Sequence, residues 1–589
     1  MTPHHTTLTP TGAANDAPFL LLLRQHLAPL AEGGLSAALD LALTALCQAL
    51  ERGDVCVPLR ASADELAAHR RELLASGLVG TGADGEAELP LVLDANDRLY
   101  LRRDFRAERA VATFVAARLQ QPPRHQPAAV AAALQACGEA ARPGHTDWQL
   151  AAIAAAARAS FLVLCGGPGT GKTTTVVRLL QVLLQLEPGL SIAIAAPTGK
   201  ATARLGEALR QRATTMPALA AALPSLRLGT LHRLLGYLPL DDRFRAGPEQ
   251  PLPFDCVVVD EVSMVDPTLL AALLQALRPE ARLLLVGDQD QLAAIAAGQV
   301  LGDLCRAARP ERGVGAELAT FVAAATGMAL PVQTAASPLA DVTITLRDNH
   351  RFGDDSGIGT FAAALMRRDA PAAAAALAQG RDDLVVLPDA DAAMQHIGPA
   401  LAAMRTAAAR GDAAAALAAI GRARVLTASR HGAAGAAAWN ARIEAWLAAA
   451  GHRLDDPWYV GRPLLVTSND YQNRVWNGDL GVVGRDAAGN PVVWFAAADG
   501  SVRTLSPRRL PPHETAWAMT VHKAQGSEFD EVLLVMPEGP SPLWQATLVY
   551  TGITRARRRA ALLADPALLL PCLSHWPQRG SGLVDHLSG

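Results

Sequence analysis

The spacing of apolar residues changes at a few points along the chain, and these changes predict its elements. From about residue 19 to residue 119, apolar positions recur every three to four residues, most clearly over 39–50 and 106–119. This spacing is typical of amphipathic helices. The segment 120–127 is rich in proline and glutamine, which indicates a linker. We therefore predict a mainly helical N-terminal domain over residues 1–120.

After the linker, short apolar runs alternate with helical stretches. The runs lie at 161–165, 192–196, 256–259, 283–286, 425–427 and 532–535. Short buried strands separated by helices are typical of a parallel sheet that helices cover on both faces. Because the runs extend over so much of the chain, the pattern predicts two α/β domains, at 121–340 and 341–589, rather than one.

Two segments interrupt this alternation. Residues 236–253 are rich in proline and glycine and alternate in polarity, which predicts a β-hairpin within the first α/β domain. Residues 461–512 contain short strand-like pieces separated by turn signals. Short strands at close spacing predict a small β-barrel-like insertion in the second α/β domain.

Composition excludes several classes of protein. The 589 residues include 53 basic and 56 acidic side chains, and half are hydrophobic, so a large core is expected and a globally basic surface is not. Seven cysteines without a C-x-x-C pair favour a reduced, cytoplasmic protein over a disulfide scaffold or zinc site. The longest uncharged run, 318–340, contains Pro331 and Pro338, and the N-terminus does not resemble a secretory signal. No association with a membrane is expected.

A glycine-rich loop follows the first apolar run and precedes a helical pattern. It matches G-x-x-x-x-G-K-[ST] through Gly166, Gly167, Pro168, Gly169, Thr170, Gly171, Lys172 and Thr173. In this strand–loop–helix context the backbone N–H groups would surround phosphates, Lys172 would contact the β- and γ-phosphates, and Thr173 would bind Mg²⁺. A nucleotide triphosphate site is therefore predicted.

Two acids follow the apolar run 256–259. Asp260 and Glu261 would lie at the carboxyl edge of the sheet, where doubly wound sheets bind ligands. Asp260 would hold Mg²⁺ through water, and Glu261 would polarise the attacking water. Valines that end in acids are also a common strand end, so this assignment depends on the neighbouring phosphate loop. Together the two motifs predict ATP or GTP hydrolysis.

Further polar segments begin where strand-like runs end. They lie at 196–204, 229–236, 287–292, 346–352, 520–529 and 549–557. Each by itself is also compatible with a polar helix cap. In their order and spacing, however, they resemble the motif set of superfamily 1 helicases of the 5′→3′ branch, and within it the RecD family. The resemblance covers about residues 146–559, and departs at His350, where a tyrosine is expected.

This resemblance implies roles for individual residues. It implies an α/β fold with two RecA-like domains, in which the insertion is an SH3-like 2B module and the hairpin is the 1B pin. Gln149 would recognise the adenine of ATP, and Gln291 would sense the γ-phosphate. The remaining implied nucleotide contacts are Arg351 and Arg555, which would reach the γ-phosphate from the second domain, and Gly526 and Glu528. The implied single-strand contacts or couplers are Thr198, His232, Thr520 and His522.

The resemblance also implies partners. Its members are motor subunits that work with RecB and RecC in exodeoxyribonuclease V, on single-stranded DNA and duplex ends, in repair and recombination. The N-terminal domain would face RecC, and RecB would carry out the cleavage. The chain has three lysines, Lys172, Lys200 and Lys523, and none follows an acid by two positions. This excludes a nuclease centre of the (D/E)-x-K type here.

Two other functions remain open from the sequence. One is a freestanding 5′→3′ helicase that acts without RecB and RecC. The other is a P-loop protein that serves as a nucleotide-dependent scaffold and does not translocate. Stimulation of ATP hydrolysis by single-stranded DNA distinguishes the motor from the scaffold.

Overall fold

The protein is described here by a computed structural model. It covers residues 18–31, 34–59, 63–83, 88–141, 144–334, 337–353, 355–470, 472–497 and 500–588. Residues 1–17 of the predicted N-terminal domain lie outside these ranges. Within the covered part of the chain, none of the helices is both long and apolar enough to cross a membrane.

The N-terminal unit is mainly helical, as predicted, but it also contains a small sheet. Its elements are the helices Pro18–Leu27, Ala37–Glu51, Ala63–Ala75 and Arg102–Leu119, the 3-10 turn Ala28–Leu30, and the strands Cys56–Pro58, Val79–Gly80, Leu91–Leu93 and Arg98–Leu101. The four strands form one sheet, and leucines such as Leu43 and Leu93 fill the core between sheet and helices. Strands of two to four residues are too short to produce an alternating pattern, so the sequence did not predict this sheet.

The first α/β unit is built on a six-stranded parallel sheet. In spatial order its strands are Thr343–Leu346, Phe161–Gly166, Arg282–Gly287, Cys256–Val259, Ile192–Ala196 and Arg227–Thr230. Its helices are Pro127–Ala136, Trp148–Arg158, Lys172–Leu186, Gly199–Ala213, Pro217–Ala222, Leu231–Leu235, Pro267–Gln275, Val300–Ala308 and Ala316–Thr326. Short 3-10 turns at Leu223–Ser225, Val262–Met264, Pro310–Arg312 and Pro338–Asp341 complete it. The four runs predicted in this unit are confirmed as strands.

The structure moves the predicted boundaries of this unit. Thr343–Leu346 lies beyond the predicted end at 340, yet it pairs in parallel with Phe161–Gly166. On the other side, Val111 and Val115 of the helix Arg102–Leu119 are buried in the core below the same sheet. The first unit therefore reaches past residue 340 and packs directly on a helix assigned to the N-terminal domain. Both boundaries are decided by contacts between segments that are far apart in the chain. The spacing of apolar residues within one segment does not indicate such contacts.

The predicted hairpin is present. Tyr237–Leu238 pairs antiparallel with Arg243–Phe244, within the predicted segment 236–253. Its turn leaves Leu240 fully exposed. The hairpin projects from the unit directly after the helix Leu231–Leu235, which carries His232.

The second α/β unit has a five-stranded parallel sheet. In spatial order the strands are Leu384–Leu387, Ala556–Leu563, Phe529–Val535, Ala423–Thr427 and Ala518–Thr520. Its helices are Gly357–Met366, Ala370–Ala378, Ala390–Ala409, Ala413–Ile420, Ala436–Ala449, Ala546–Ile553 and Pro566–Ser574. Two parallel sheets, each with its own core, confirm the predicted α/β fold with two RecA-like domains.

The predicted insertion is a separate five-stranded antiparallel sheet. Its strands are Pro463–Val466, Leu480–Arg485, Pro491–Ala496, Val502–Leu505 and His513–Thr515, with a 3-10 turn at Pro507–Arg509. Val483, Val493 and Phe495 form a small core of its own. The chain enters from the helix Ala436–Ala449 and returns directly to the strand Ala518–Thr520, so the insertion is attached at two neighbouring points.

The chain ends away from the second sheet. After the helix Pro566–Ser574 it runs to a final helix, Leu583–Ser588, and Leu583 is buried in the core of the first α/β unit. The final helix therefore packs on the first α/β unit, although the prediction placed all of residues 341–589 in the second domain. The C-terminal residues join the other two units instead.

Candidate active site

The phosphate loop connects the strand Phe161–Gly166 to the helix Lys172–Leu186 at the carboxyl edge of the first sheet. Gly169 and Gly171 have φ angles of 84° and 83°, a left-handed conformation that favours glycine. A Cβ on Gly171 would lie 2.4 Å from Nε2 of Gln149. The backbone can therefore approach a phosphate group closely, beside a helix N-terminus whose positive end favours anions.

Backbone carbonyl groups hold the polar side chains of the loop. Nζ of Lys172 donates to the carbonyl oxygens of Gly166, at 2.6 Å, and Gly167, at 3.1 Å. The buried Thr170 hydroxyl donates to Gly167 over 2.8 Å. Thr173 lies in the first helical turn and is partly exposed. The Lys172 ammonium is thus positioned where phosphate oxygens could replace its carbonyl partners.

Asp260 and Glu261 follow the strand Cys256–Val259, at the same edge of the sheet as the phosphate loop. Burial raises the pKa of Asp260 to about 6, and repulsion from Glu261 acts in the same direction, while the charges of Lys172 and Arg204 oppose the shift. The N–H of Glu261 donates to Oδ1 of Asp260 over 2.9 Å. Hydroxyl and carboxylate oxygens are hard ligands, so Thr173 and Asp260 are a donor set that fits Mg²⁺.

Buried polar groups connect the two α/β units behind the phosphate loop. Oδ2 of Asp288 accepts hydrogen bonds from Nε2 of Gln291, at 3.0 Å, and from the hydroxyl of Tyr550, at 3.1 Å. Oε1 of Gln291 is buried and has no hydrogen-bond partner among the described residues. The guanidinium of Arg368 donates to Asp290 over 2.7 Å. Gln291 therefore lies where both units meet, with an acceptor left for a ligand or water.

Three arginines converge on Glu528 in the cleft. Its carboxylate accepts from Arg351 at 2.5 Å, from Arg204 of the first unit at 2.8 Å, and from Arg557 at 3.3 Å. Burial by itself would raise the pKa of Glu528, but the charges and hydrogen bonds of Arg204 and Arg351 outweigh it and lower that pKa to about 2. Arg555 is buried nearby and donates to the carbonyl groups of Thr551 and Ser527.

Two predicted nucleotide residues have protein partners here. Gln149 donates to the carbonyl oxygen of Thr170 over 3.1 Å and accepts from Arg178 over 2.6 Å, so its amide supports the phosphate loop. Gly526 has a φ of 71°, and a Cβ there would lie 3.5 Å from Oγ1 of Thr198 in the first unit. The structure thus places Gln149 at the loop and Gly526 farther from it.

A cavity of about 1000 Å³ lies between the two α/β units and the insertion. The first unit contributes Thr198, Lys200 and the segment 294–296, and the second contributes Arg430, His522 and Lys523. The insertion closes it with residues that include Leu465, Thr467, Asn477, Gly478 and His513. Side chains from three parts of the chain therefore surround one volume, and its lining includes the acids Asp266 and Glu514 beside the basic groups.

The predicted strand contacts do not all reach this cavity. Thr198 caps the helix Gly199–Ala213, and His522 lies on the opposite wall. Thr520 does not line the cavity; its hydroxyl accepts from the N–H of Lys523. His232 is exposed beside the hairpin, where its ring lies 5.5 Å from that of Tyr237 and 5.9 Å from that of Phe244. Thr520 therefore supports a wall of the cavity, and His232 packs against the hairpin.

Several contacts of the site could not be predicted from the sequence. Tyr550 and Arg368 reach the first unit only because the two sheets face each other. Arg204 lies within the segment 196–204, but its partner Glu528 is more than 300 positions away. Lys200 and Lys523 line the cavity, where they pair with Ser527 and Glu514.

Two family models match the parts of the chain that form this site. One is described as an AAA domain and matches residues 149–297, from Gln149 past the phosphate loop and Gln291. The other is described as a UvrD-like helicase C-terminal domain and matches residues 515–563, which include Glu528 and Arg555. The first supports nucleotide binding in the first α/β unit, and the second indicates a helicase.

Relatives match over nearly the whole chain. A protein of Mycobacterium tuberculosis named "RecBCD enzyme subunit RecD" is 39% identical, with 92% of this chain and 90% of the relative covered. Its namesake from Mycolicibacterium smegmatis is 37% identical over 94% of each. An "ATP-dependent RecD2 DNA helicase" from Deinococcus radiodurans is 32% identical over 78% of this chain and 54% of the relative. The chain therefore belongs to the RecD family of ATP-dependent DNA helicases.

Proposed function

We propose that this chain is a 5′→3′ DNA translocase and the motor subunit of a complex with RecB and RecC. The observation that carries the proposal is that both α/β units contribute to the nucleotide cleft and to the cavity beside it. A change in the cleft on binding and hydrolysis of ATP would therefore change the cavity as well. Alternating closure and release of two strand-binding surfaces is a physical route to stepping.

In the nucleotide cleft, the first unit would bind the phosphates. The loop 166–173 surrounds them, and Lys172 leaves its carbonyl partners to contact the β- and γ-phosphates. Mg²⁺, when bound by Thr173 and Asp260, neutralises phosphate charge. Glu261 orients the attacking water, and the unpaired Oε1 of Gln291 accepts one of its hydrogens.

Arg351, which follows the last strand of the first sheet, and residues of the second unit would complete the cleft. Arg351 and Arg555 supply planar guanidinium groups to the charge that develops on the γ-phosphate. Glu528 positions Arg351, and Gly526 precedes Glu528 by two residues in the same motif. Gln149 supports the phosphate loop and faces the adenine. On the strand side, Thr198 and His522 contact the DNA backbone, Thr520 holds the wall that carries Lys523, and His232 acts with the hairpin.

Stimulation of ATP hydrolysis by single-stranded DNA tests the motor. We expect strong stimulation of the full chain by an oligonucleotide, and its loss in Lys172→Gln, which removes the ammonium but keeps an unbranched polar side chain. Arg410→Met is a matched control, because Arg410 is exposed at the end of the helix Ala390–Ala409 and away from the cavity. Hydrolysis without stimulation by DNA would favour the nucleotide-dependent scaffold instead.

Polarity needs a second measurement. Duplexes with a single-stranded tail on either the 5′ or the 3′ side separate the two directions, and we expect unwinding only with the 5′ tail. The proposed complex has separate support, since two mycobacterial relatives are named as subunits of the RecBCD enzyme. A preference for the 3′ tail would contradict the proposed direction without affecting the ATPase.

The N-terminal unit offers a surface for RecC. Phe19, Leu22 and Leu30 are 41%, 52% and 64% exposed on its first helix and the turn that follows. A contiguous exposed apolar face typically marks a protein interface. We expect Leu22→Glu with Leu30→Glu to abolish co-purification with RecC and to leave DNA-stimulated hydrolysis intact. Retained co-purification would place the interface elsewhere.

A freestanding helicase is the alternative, and the similarity to the Deinococcus radiodurans protein favours it. This chain spans about half of that relative, which is named a helicase in its own right. Purification from the native cell distinguishes the two functions. A chain that never travels with RecB and RecC supports the freestanding one.

A further inference from the structure

The last residues of the chain cross from the second α/β unit to the other two. Residues 576–588, here called the C-terminal strap, begin at Trp576, whose ring lies 3.4 Å from the guanidinium of Arg368. The strap ends in the helix Leu583–Ser588, with Leu583 buried in the first unit. Along the way Ser581 donates to the buried carboxylate of Glu108 over 2.6 Å. The strap therefore contacts all three units.

Arg579 occupies the middle of the strap and binds a loop of the first unit. One guanidinium nitrogen donates to the carbonyl oxygens of Ala296, at 2.7 Å, and Gly298, at 2.8 Å, and the other donates to Ala294 at 2.7 Å. Three backbone carbonyl groups of one short loop thus share one side chain. The planar fork of arginine can satisfy them together, which the single ammonium of lysine cannot reproduce in the same geometry.

The loop bound by Arg579 forms part of the cavity wall. Ala294, Ile295 and Ala296 line the cavity, and the Ile295 side chain is 84% exposed. The N–H of Ala294 donates to the carbonyl oxygen of Ser263, two residues after Glu261, over 3.1 Å. The loop therefore lies between the acids of the nucleotide cleft and the cavity.

The same segment is attached to the second unit just before the loop. The N–H of Leu292 donates to Thr551 over 2.8 Å, and its carbonyl oxygen accepts from Gln525 over 2.7 Å. Gln291 of the nucleotide cleft immediately precedes Leu292 in the chain. Movement between the units therefore acts on Leu292, at one end of the segment 292–298. The strap holds residues 294–298 at the other end.

The N-terminal unit supports the strap from the opposite side. The N–H of Gly580 donates to Asp54 over 2.7 Å, and the N–H of Gly298 donates to the carbonyl oxygen of Gly53 over 2.9 Å. Gly53 has a φ of 87°, and a Cβ there would lie 2.8 Å from Cζ of Arg579. Glycine at this position leaves the space in which the guanidinium reaches the loop.

We propose that the C-terminal strap is a positioning element for strand binding. Arg579 fixes the 294–298 loop in the shape that presents Ile295 to the strand, and it ties this wall of the cavity to the N-terminal unit. The inference rests on the proposed function, since it requires that DNA occupies the cavity. Arg579 is a positioning residue, because it acts through the loop and not on the nucleotide.

The test uses the full chain and four variants: Arg579→Met, Arg579→Lys, Gly53→Ala and the control Arg410→Met. The measurements are the oligo(dT) concentration that gives half-maximal stimulation of hydrolysis and the maximal rate at saturating oligo(dT). We expect Arg579→Met and Gly53→Ala to raise the half-maximal concentration about tenfold, the effect of 1.4 kcal/mol, and to change the maximal rate less than about twofold. Arg579→Lys should be weakened too, and the control unchanged.

The variants separate the possible failures. A wild-type chain that oligo(dT) does not stimulate would count against the proposed function and not against the strap. If oligo(dT) stimulates the wild type, and Arg579→Met and Gly53→Ala have the wild-type half-maximal concentration, the proposed role of the strap is wrong. If Arg579→Lys matched the wild type and only Arg579→Met were weakened, Arg579 would act through its charge, and positioning would be overturned. Gly53→Ala and Arg579→Lys keep the test decisive if Arg579→Met does not fold.

Discussion

The guanidinium of Arg351 and the carboxylate of Glu528 lie 2.5 Å apart, although 177 positions separate them in the chain. Arg351 follows the last strand of the first sheet, and Glu528 precedes a central strand of the second. Arg204 binds the same carboxylate from the first unit. One carboxylate of the second unit therefore binds two arginines that are attached to the first unit, so these ion pairs cross the cleft and depend on how far it is closed.

The first prediction concerns this carboxylate. Glu528→Gln keeps the shape of the side chain and removes the charge that neutralises Arg204, Arg351 and Arg557. The mutual repulsion of these arginines should then displace Arg351, so we expect DNA-stimulated kcat to fall about tenfold to a hundredfold, as for loss of a positioned charge in an active site. Steady-state kinetics with ATP measures this effect.

A matched substitution controls for the change of charge. Glu538 is exposed on a loop of the same unit, so Glu538→Gln should leave kcat unchanged. Equal rates for Glu528→Gln and the wild type would show that Arg351 keeps its position without this partner.

The nucleotide half of the site was predictable because its chemistry is local. The glycines of 166–173, Lys172 and Thr173 lie within eight positions, and the spacing between them is fixed by one loop and one helix turn. Asp260 and Glu261 follow a strand that is apolar throughout, so their place at the sheet edge could be predicted too.

The contacts between units were not predictable. Tyr550 lies in the segment 549–557 of the motif set, but nothing in that segment indicates that the residue is fully buried against Asp288 of the other unit. Arg579 follows the last predicted motif and lies among prolines and glycines that suggest only a loop. The meeting of two sheets decides what such residues touch, and neither spacing nor composition encodes that arrangement for a single position.

The second prediction concerns Tyr550. Tyr550→Phe removes a hydrogen bond from a buried carboxylate, which leaves Asp288 with one donor fewer in an environment that water does not reach. Burial already raises the pKa of Asp288, and the Tyr550 hydroxyl is among the groups that lower it. We expect a loss of about 1–3 kcal/mol, seen as a lower thermal midpoint in calorimetry.

Tyr237→Phe provides the comparison for this loss. The Tyr237 hydroxyl donates to Asp242 over 2.7 Å at the exposed hairpin, where water can replace it. This variant should unfold at the wild-type temperature. Equal shifts for the two variants would mean that the bond between the units contributes no more than a surface bond.

The third prediction concerns pH. Burial raises the pKa of Glu108 to about 7, and the nearby charge of Asp303 adds to the shift, although hydrogen bonds from Ser581 and Gly582 and the charge of Arg98 oppose it. Between the unfolded pKa of about 4.5 and this value, the folded chain binds more protons than the unfolded chain, so stability falls as the pH rises. Glu108→Gln should remove this part of the pH dependence.

Denaturant unfolding at pH 5 and at pH 8 measures the difference. The wild type should lose up to about 3 kcal/mol more than Glu108→Gln over this interval. Glu538→Gln should behave as the wild type. Identical pH profiles for all three would show that Glu108 is not the group that titrates.

The fourth prediction concerns the hairpin. Leu240 is 100% exposed in the turn of the hairpin, and Tyr237 is 37% exposed at its base, where its ring packs against those of His232 and Phe244. The hairpin lies outside the residues that line the cavity, so it can meet a base pair at the fork without touching the strand inside. Aromatic contact with a base is worth about 1–3 kcal/mol.

Tyr237→Ala with Leu240→Ala should therefore slow the unwinding of a tailed duplex about tenfold, which corresponds to 1.4 kcal/mol, and change single-strand-stimulated hydrolysis less than about twofold. The comparison of the two rates in the same preparation is the measurement, since a general loss of folding would lower both. A parallel fall in hydrolysis would place the hairpin on the translocated strand. If the double variant unwinds the duplex at the wild-type rate, the hairpin does not separate the strands. The contacts in the cavity that drive stepping would then also have to open the duplex.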